Sequence, residues 1–228
     1  MTAVALAGLL VGALLPRAIG MIPDRAGAPD GAPRTPYRQL AAVPRLWVPL
    51  AVLTGIAWAL LAAARGLSLD LLAYLLVAAL GVAMAYIDVR EHRLPDWLTY
   101  PAVMGSAGLL LLPAAITGEW GAYGRAWLGA LALTAGFFVL AVVRPTDLGM
   151  GDVKLAASLG LLLGWIGWAH VVLGAFASFL LGGLYSIVLL ATRRAGRRSE
   201  IPFGPFMLAG ALVTVVWGAP ILDAYLGH

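Results

Sequence analysis

The chain has 228 residues, of which 62% are hydrophobic and only 11% charged, and it carries a formal net charge of +4. That composition excludes an ordinary soluble domain, because several apolar runs approach the ~20 residues needed to cross a bilayer. There is no cysteine and the three histidines, His92, His170 and His228, are scattered, so disulfides, thiol catalysis and a cysteine-ligated zinc site are excluded and no metal is expected.

The expected fold is all-α: a polytopic membrane bundle of about eight transmembrane helices with the N-terminus outside. The helices are predicted near 2–21, 47–64, 69–87, 97–116, 122–143, 154–170, 172–192 and 203–225. Residues 1–22 supply the first transmembrane helix. Arg17, the first positive charge, follows the apolar run, so that run reads as a retained helix entering from outside rather than a cleaved signal. Residues 23–46 are Pro- and Arg-rich, a composition that cannot bury a core and predicts a flexible cytoplasmic loop. Residues 47–228 form the membrane core. Within it, Gly164, Gly167 and Gly174 predict a turn between the sixth and seventh helices, with Trp165 and Trp168 at an interface; one long kinked helix is the other reading. The run Arg193–Arg198 is a basic loop that anchors topology near anionic lipid. The 28 glycines are expected mostly to permit close helix packing.

Charge sets the orientation. With the N-terminus outside, the inner loops collect Arg17, Arg25, Arg34, Arg38, Arg45, Arg90, Arg93, Arg144, Lys154 and the four arginines of 193–198. Only Arg65 and Arg125 of the 15 basic residues remain outside, the bias expected of a cytoplasmic face.

The carboxylates are few. Asp24 and Asp30 fall in the proline-rich loop, Asp70, Glu119 and Asp223 on the outer side, and Glu200 in the last basic loop; all are expected to be solvated. Asp88 sits on the last turn of its helix, where an acid opposes the helix dipole, so propensity does not explain it. Its plainer reading is a partner for Arg90 or Arg93. Asp152 follows Gly149-Met150-Gly151 and has a plainer reading as a helix N-cap. Two flanking glycines also let backbone approach closely and leave a helix open near a polar site. Aspartyl chemistry needs two such acids: close together they share a proton, one activates water and the other protonates the scissile carbonyl. Among the remaining acids, Asp96 is expected to cap the next helix, Glu91 to lie in the loop, and Asp147 to compete with Asp152. Lys154 reads as a counter-charge to the acids, or as an interfacial snorkeler.

Three segments in order, Asp88 through Pro95-Asp96, Gly149-Met-Gly-Asp-Val-Lys-Leu155 and Ile201-Pro-Phe-Gly-Pro-Phe206, resemble the bacterial type IV prepilin leader peptidases, aspartyl proteases of the Gly-x-Gly-Asp kind. The resemblance covers roughly residues 75–215 and implies a membrane peptidase core within 47–228. It implies that Asp88 and Asp152 are the catalytic pair, that Gly149 and Gly151 shape the active-site loop, and that Lys154, Asp147 and Asp96 are supporting candidates. Pro202, Gly204 and Pro205 belong to the third motif, to which no role is assigned. The implied substrates are prepilins or pseudopilins, cleaved behind a basic leader at a glycine boundary on the cytoplasmic face of the inner membrane. The products feed type IV pili, type II secretion or competence machines. Membrane lipid is the other expected partner, and nucleic acid is not one. Full-length members carry a larger insert with Cys-x-x-Cys pairs that bind zinc, and they N-methylate the new N-terminus. Here the insert is residues 23–46 without cysteine, a short form, so zinc is not expected and no cofactor is, save S-adenosylmethionine if methyltransferase activity is retained. Three alternatives stand beside this: a presenilin-like or preflagellin peptidase, a proton- or cation-coupled transporter using the same acids, and a structural scaffold whose acids end helices.

Overall fold

The computed structural model describes residues 1–24, 34–144, 148–192 and 201–226. Regular structure in the described residues is entirely helical, in the order α1 (Thr2–Gly20), α2 (Tyr37–Ala41), α3 (Trp47–Arg65), α4 (Leu71–Glu91), α5 (Asp96–Thr117), α6 (Trp120–Val143), α7 (Met150–Ile166), α8 (Trp168–Ala191) and α9 (Gly204–Leu226). Long apolar runs leave the backbone no water to bond with in a bilayer, and a helix satisfies its own N–H and C=O groups. Among the described residues seven helices are long and apolar enough to cross: α1, α3, α4, α5, α6, α8 and α9. This is the architecture of a multi-pass membrane protein.

All eight long helices fall where the hydropathy predicted them, but α7 differs in kind. Its 17 residues rise about 25 Å, short of the ~30 Å hydrocarbon core. It packs against α5, α6, α8 and α9, and between Asp152 and Trp165 only Lys154 and Ala157 escape full burial. The predicted break between the sixth and seventh helices lies at Gly167, so the single-kinked-helix reading is set aside. Trp168 is exposed, as an interfacial residue should be, whereas Trp165 is buried. Glycine serves packing as expected: a Cβ on Gly160 would lie 2.6 Å from the α6 backbone at Ala130.

Consecutive long helices alternate in direction, so the bundle has two ends. One gathers the end of α3, the start of α4, the start of α6 and the end of α7. There Asp70, expected to be solvated, is instead 4% exposed. Arg65 and Ser68 both bind its carboxylate. Arg125 on α6 donates from Nε to the Gly164 carbonyl (2.8 Å) and from a terminal nitrogen to that of Trp165 (2.7 Å). It thereby satisfies carbonyls that the end of α7 leaves without intrahelical partners.

The proline-rich segment also departs from expectation. Residues 25–33 lie outside the described residues, but the portion from Arg34 onward is built into the fold. Tyr37, Leu40 and Leu46 are buried, and α2 is held where the Leu40 carbonyl accepts from the Tyr86 hydroxyl (2.8 Å). Asp24 is likewise engaged, accepting from the Tyr37 N–H (2.9 Å). Composition suggested a free loop because it counts prolines; three apolar side chains spaced along the segment were enough to dock it. The basic run 193–198, with Glu200, lies outside the described residues, as do Asp30 and His228. Glu119 and Asp223 are exposed, as expected.

Candidate active site

The other end of the bundle gathers the three sequence segments. Asp88 lies in the last turn of α4, 5% exposed, with its main-chain carbonyl accepting from His92 N–H at 2.8 Å. His92 closes the helix in the left-handed conformation (φ 51°), which turns the chain toward Leu94 and Pro95. Neither Arg90 nor Arg93 is found pairing with Asp88 among the described residues. Arg93 turns to the proline-rich segment, donating to the Thr35 carbonyl (2.9 Å) and stacking over the Tyr37 ring (4.2 Å). Glu91 is the last residue of α4 rather than a loop residue, and it accepts from the Thr35 N–H (3.2 Å).

The partner of Asp88 comes from the far end of the sequence. Gly204, first residue of α9, donates its backbone N–H to Asp88 Oδ2 at 3.0 Å. A Cβ on Gly204 would lie 2.8 Å from that same oxygen and 3.4 Å from Leu94 Cδ2, so only glycine lets the backbone come this close. The flanking aromatics hold α9 in place: the Phe203 ring lies 5.1 Å from Phe179 and 5.9 Å from Phe137, and the Phe206 ring 5.2 Å from Tyr185. Ile201-Pro-Phe-Gly-Pro-Phe206 therefore presents one N–H to one carboxylate, flanked by tilted ring contacts. Pro202 and Pro205 flank that N–H and are partly exposed.

Asp152 is 7% exposed and is the third residue of α7, not its N-cap. Gly149 occupies the capping position, and its N–H donates back to Asp152 Oδ2 at 3.0 Å. The second oxygen, Oδ1, is buried and has no hydrogen-bond partner among the described residues. A buried carboxylate oxygen without a partner is costly in a folded protein, so Asp152 is not explained as a helix-capping residue alone. Asp88 lies close enough to act electrostatically on Asp152. Between the two acids sits Leu94, largely buried. A Cβ on Gly151 would lie 2.7 Å from Leu94 Cβ and 3.3 Å from its backbone nitrogen, so Gly151 lets α7 dock on the α4–α5 connection. Leu94 thus touches both glycines that flank the acids. Sequence reading passed over it, although an apolar residue wedged before Pro95 in a charged loop was the available sign.

Asp96 is the first residue of α5, with Pro95 in the capping position. Its carboxylate is ion-paired with Lys154 of α7. Lys154 is therefore a counter-charge, but to Asp96 and not to Asp88 or Asp152; its ammonium also sits 5.0 Å from the Tyr100 ring centre. Asp147, the competitor for Asp152, lies outside the described residues. Beside the acids, a cavity of about 130 Å³ opens between Ile22, Tyr37, Arg93, Leu94 and Trp97. The docked proline-rich segment forms one of its walls.

The comparisons with known proteins bear on the family of the chain. A model of the type IV leader peptidase family matches residues 74–187, half of the chain, and that stretch contains both acids. The prepilin leader peptidase/N-methyltransferase of Aeromonas salmonicida is 33% identical over 163 residues, covering 68% of this chain and 52% of that protein. The protein of the same name from Legionella pneumophila is 29% identical over 171 residues, 72% of this chain and 56% of its own length. That of Burkholderia pseudomallei is 36% identical over 161 residues, 66% of this chain and 47% of its own. The chain spans about half the length of the curated relatives it matches. No solved structure matches it significantly. With both acids of the converging motifs inside the matched segment, the chain belongs to the type IV leader peptidase family.

Proposed function

We propose that this protein is an aspartyl endopeptidase of the inner membrane. On this reading it removes the basic leader from prepilins or pseudopilins, cutting at a glycine boundary on the cytoplasmic face. The observation that supports the proposal is that two buried carboxylates from separate segments lie within electrostatic reach of each other, each held by a backbone N–H through one oxygen, with Asp152 Oδ1 without a partner among the described residues. One carboxylate takes a proton from water as the oxygen attacks the scissile carbonyl carbon, while the other gives its proton to the carbonyl oxygen. Collapse of the tetrahedral intermediate breaks the C–N bond, and the departing amine takes up the returned proton. Gly149 and Gly204 do not react; their N–H groups fix the rotation of each carboxylate before substrate arrives.

No cofactor enters this chemistry. The relatives are named prepilin leader peptidase/N-methyltransferase. The two acids account for the peptidase step, and that is the activity assigned to them; S-adenosylmethionine would be needed only for methylation. Prepilins and lipid are its partners and nucleic acid is not. The location follows from the basic residues, which gather at the end of the bundle that holds the acids. The transporter alternative finds no support in the family.

Co-expression with a prepilin bearing a basic leader tests the reading. Asp88→Asn and Asp152→Asn are each expected to abolish cleavage at matched membrane abundance, by about 10³-fold or more, while Asp147→Asn is expected to retain it. Near-normal cleavage by either of the first two variants would discard the pair.

A further inference from the structure

An apolar groove of about 490 Å³ runs between α3, α4 and α9. It lies on the lipid side of the bundle and its lining is almost wholly nonpolar. Tyr86 is the exception, and its hydroxyl is already committed to the Leu40 carbonyl. Much of the floor is small: Ala78, Gly81 and Ala85 on α4 and Ala209 on α9. The outward faces of α6 and α8 are different, carrying large exposed side chains such as Leu131, Phe138, Phe176 and Leu184. Small residues on a membrane helix let a second helix approach closely, whereas large ones meet fluid lipid.

The position of the groove matters more than its composition. Its wall on α4 ends at Val89, the residue after Asp88, and its wall on α9 begins at Pro205, the residue after Gly204. Asp88 and Gly204 are the two partners of the 3.0 Å hydrogen bond at the candidate active site. The groove therefore ends one residue from that pair on each helix, beside the site, although neither Asp88 nor Gly204 lines it. From there it follows α4 back to Ala78, a rise of about 16 Å, and α9 on to Leu212. That is two to three turns of an apolar helix, beginning at the depth of the acids.

We infer that this groove receives the apolar membrane helix of the cleaved substrate, seating the first turns after the scissile bond between α3, α4 and α9. The inference rests on the peptidase reading and deepens it. A peptide bond reaches two carboxylates buried at a helix end only if the chain around it is held at that depth. A groove that starts beside Asp88 holds the apolar side of the bond, while the leader leaves toward water. Specificity then comes from apolar surface on one side of the cut as well as from charge on the other.

Two experiments on the full chain in vesicles test it. First, a photoreactive benzophenone residue is placed at Leu53 in the groove or at Leu131 on α6, in wild type and in Asp152→Asn. A prepilin carrying its apolar segment is expected to crosslink from Leu53 and not from Leu131. Crosslinks from Leu53 to lipid alone, or equal crosslinks from both positions, overturn the inference. This arm reads occupancy apart from cleavage: in the otherwise wild-type protein, crosslinking with no cleavage discards the peptidase reading, and cleavage with no crosslink in either background discards the groove. Second, Ala78→Phe and Ala209→Leu fill the groove away from the acids. For the membrane-borne substrate they are expected to lower kcat/KM at least ten-fold more than for a soluble peptide with the same leader and junction, chiefly through KM. Leu131→Phe is the control. An equal loss on both substrates, or no loss on either, overturns the inference.

Discussion

The two ends of the bundle treat buried charge in opposite ways. At the end that holds Arg65 and Asp70, charges answer one another: Asp70 takes hydrogen bonds from Arg65 and Ser68, and Arg125 spends its guanidinium on the carbonyls closing α7. At the other end two buried carboxylates lie within electrostatic reach of each other, with no cation found paired to either among the described residues, and each is met by one backbone N–H. Burial of a like-charged pair is unfavourable, so a fold that only needed to close its helix ends would resemble the first arrangement. The second arrangement leaves Asp152 Oδ1 buried without a hydrogen-bond partner among the described residues. One end is bound up in holding helices together, and the other holds the acids of the proposed reaction.

Gly204→Ala breaks this contrast most severely. The added methyl would meet Asp88 Oδ2 at 2.8 Å, so the carboxylate must rotate away from the N–H that orients it. Loss of cleavage by about 10²-fold is expected, since an ångström of misplacement in a catalytic group has that order of effect. The loss should fall on kcat with KM little changed, and the thermal midpoint should move far less than activity. A Gly204→Ala protein that cleaves at the wild-type rate would show that Asp88 does not need this hydrogen bond. A loss confined to folded yield would show that the glycine serves packing alone.

How much of this was legible in the sequence differs between the two levels. Helix positions were readable because twenty-residue apolar runs between charged loops have one solution in a bilayer. The burial of α7 was not, because its run is no greasier than its neighbours; what sets it apart is being surrounded. Asp88 and Asp152 could be picked out by position and by flanking glycines. Their partners could not: the bond from Gly204 to Asp88 joins residues 116 apart in sequence, and no local pattern encodes it. Asp70 was misjudged for the same reason, since solvation was inferred from loop location while its partners Arg65 and Ser68 arrive through the turn. Lys154 was rightly taken as a counter-charge, yet sequence proximity pointed to Asp152 and the packing of α5 on α7 delivers Asp96.

At the structural end the expected effect is on stability and not on chemistry. Arg125→Ala strips donors from the Gly164 and Trp165 carbonyls, each of which is left in surroundings with little water. A loss of roughly 1–3 kcal/mol is expected, seen as a lower unfolding midpoint in detergent, with cleavage per folded molecule unchanged. Arg125→Lys should fall between, since an ammonium lacks the fork that reaches two carbonyls at once. A drop in the turnover of folded Arg125→Ala protein would mean that the two ends are coupled through α7, and the division drawn between them would fail.

The smallest effect belongs to the ion pair that sits beside the acids yet obeys the rules of the opposite end. Lys154 and Asp96 have side chains 31% and 19% exposed, so water screens much of their attraction. A double-mutant cycle with Lys154→Met and Asp96→Asn should give a coupling of about 0.5–1 kcal/mol in stability. Both single variants should retain most of their cleavage, because the pair ties α7 to α5 without touching either catalytic candidate. The informative failure is asymmetric. If Lys154→Met abolishes cleavage while Asp96→Asn does not, the ammonium is acting on Asp88 and Asp152 during turnover, having left the partner it holds at rest. The site would then contain a mobile cation, and its two carboxylates would be the resting half of a charge exchange rather than a fixed pair.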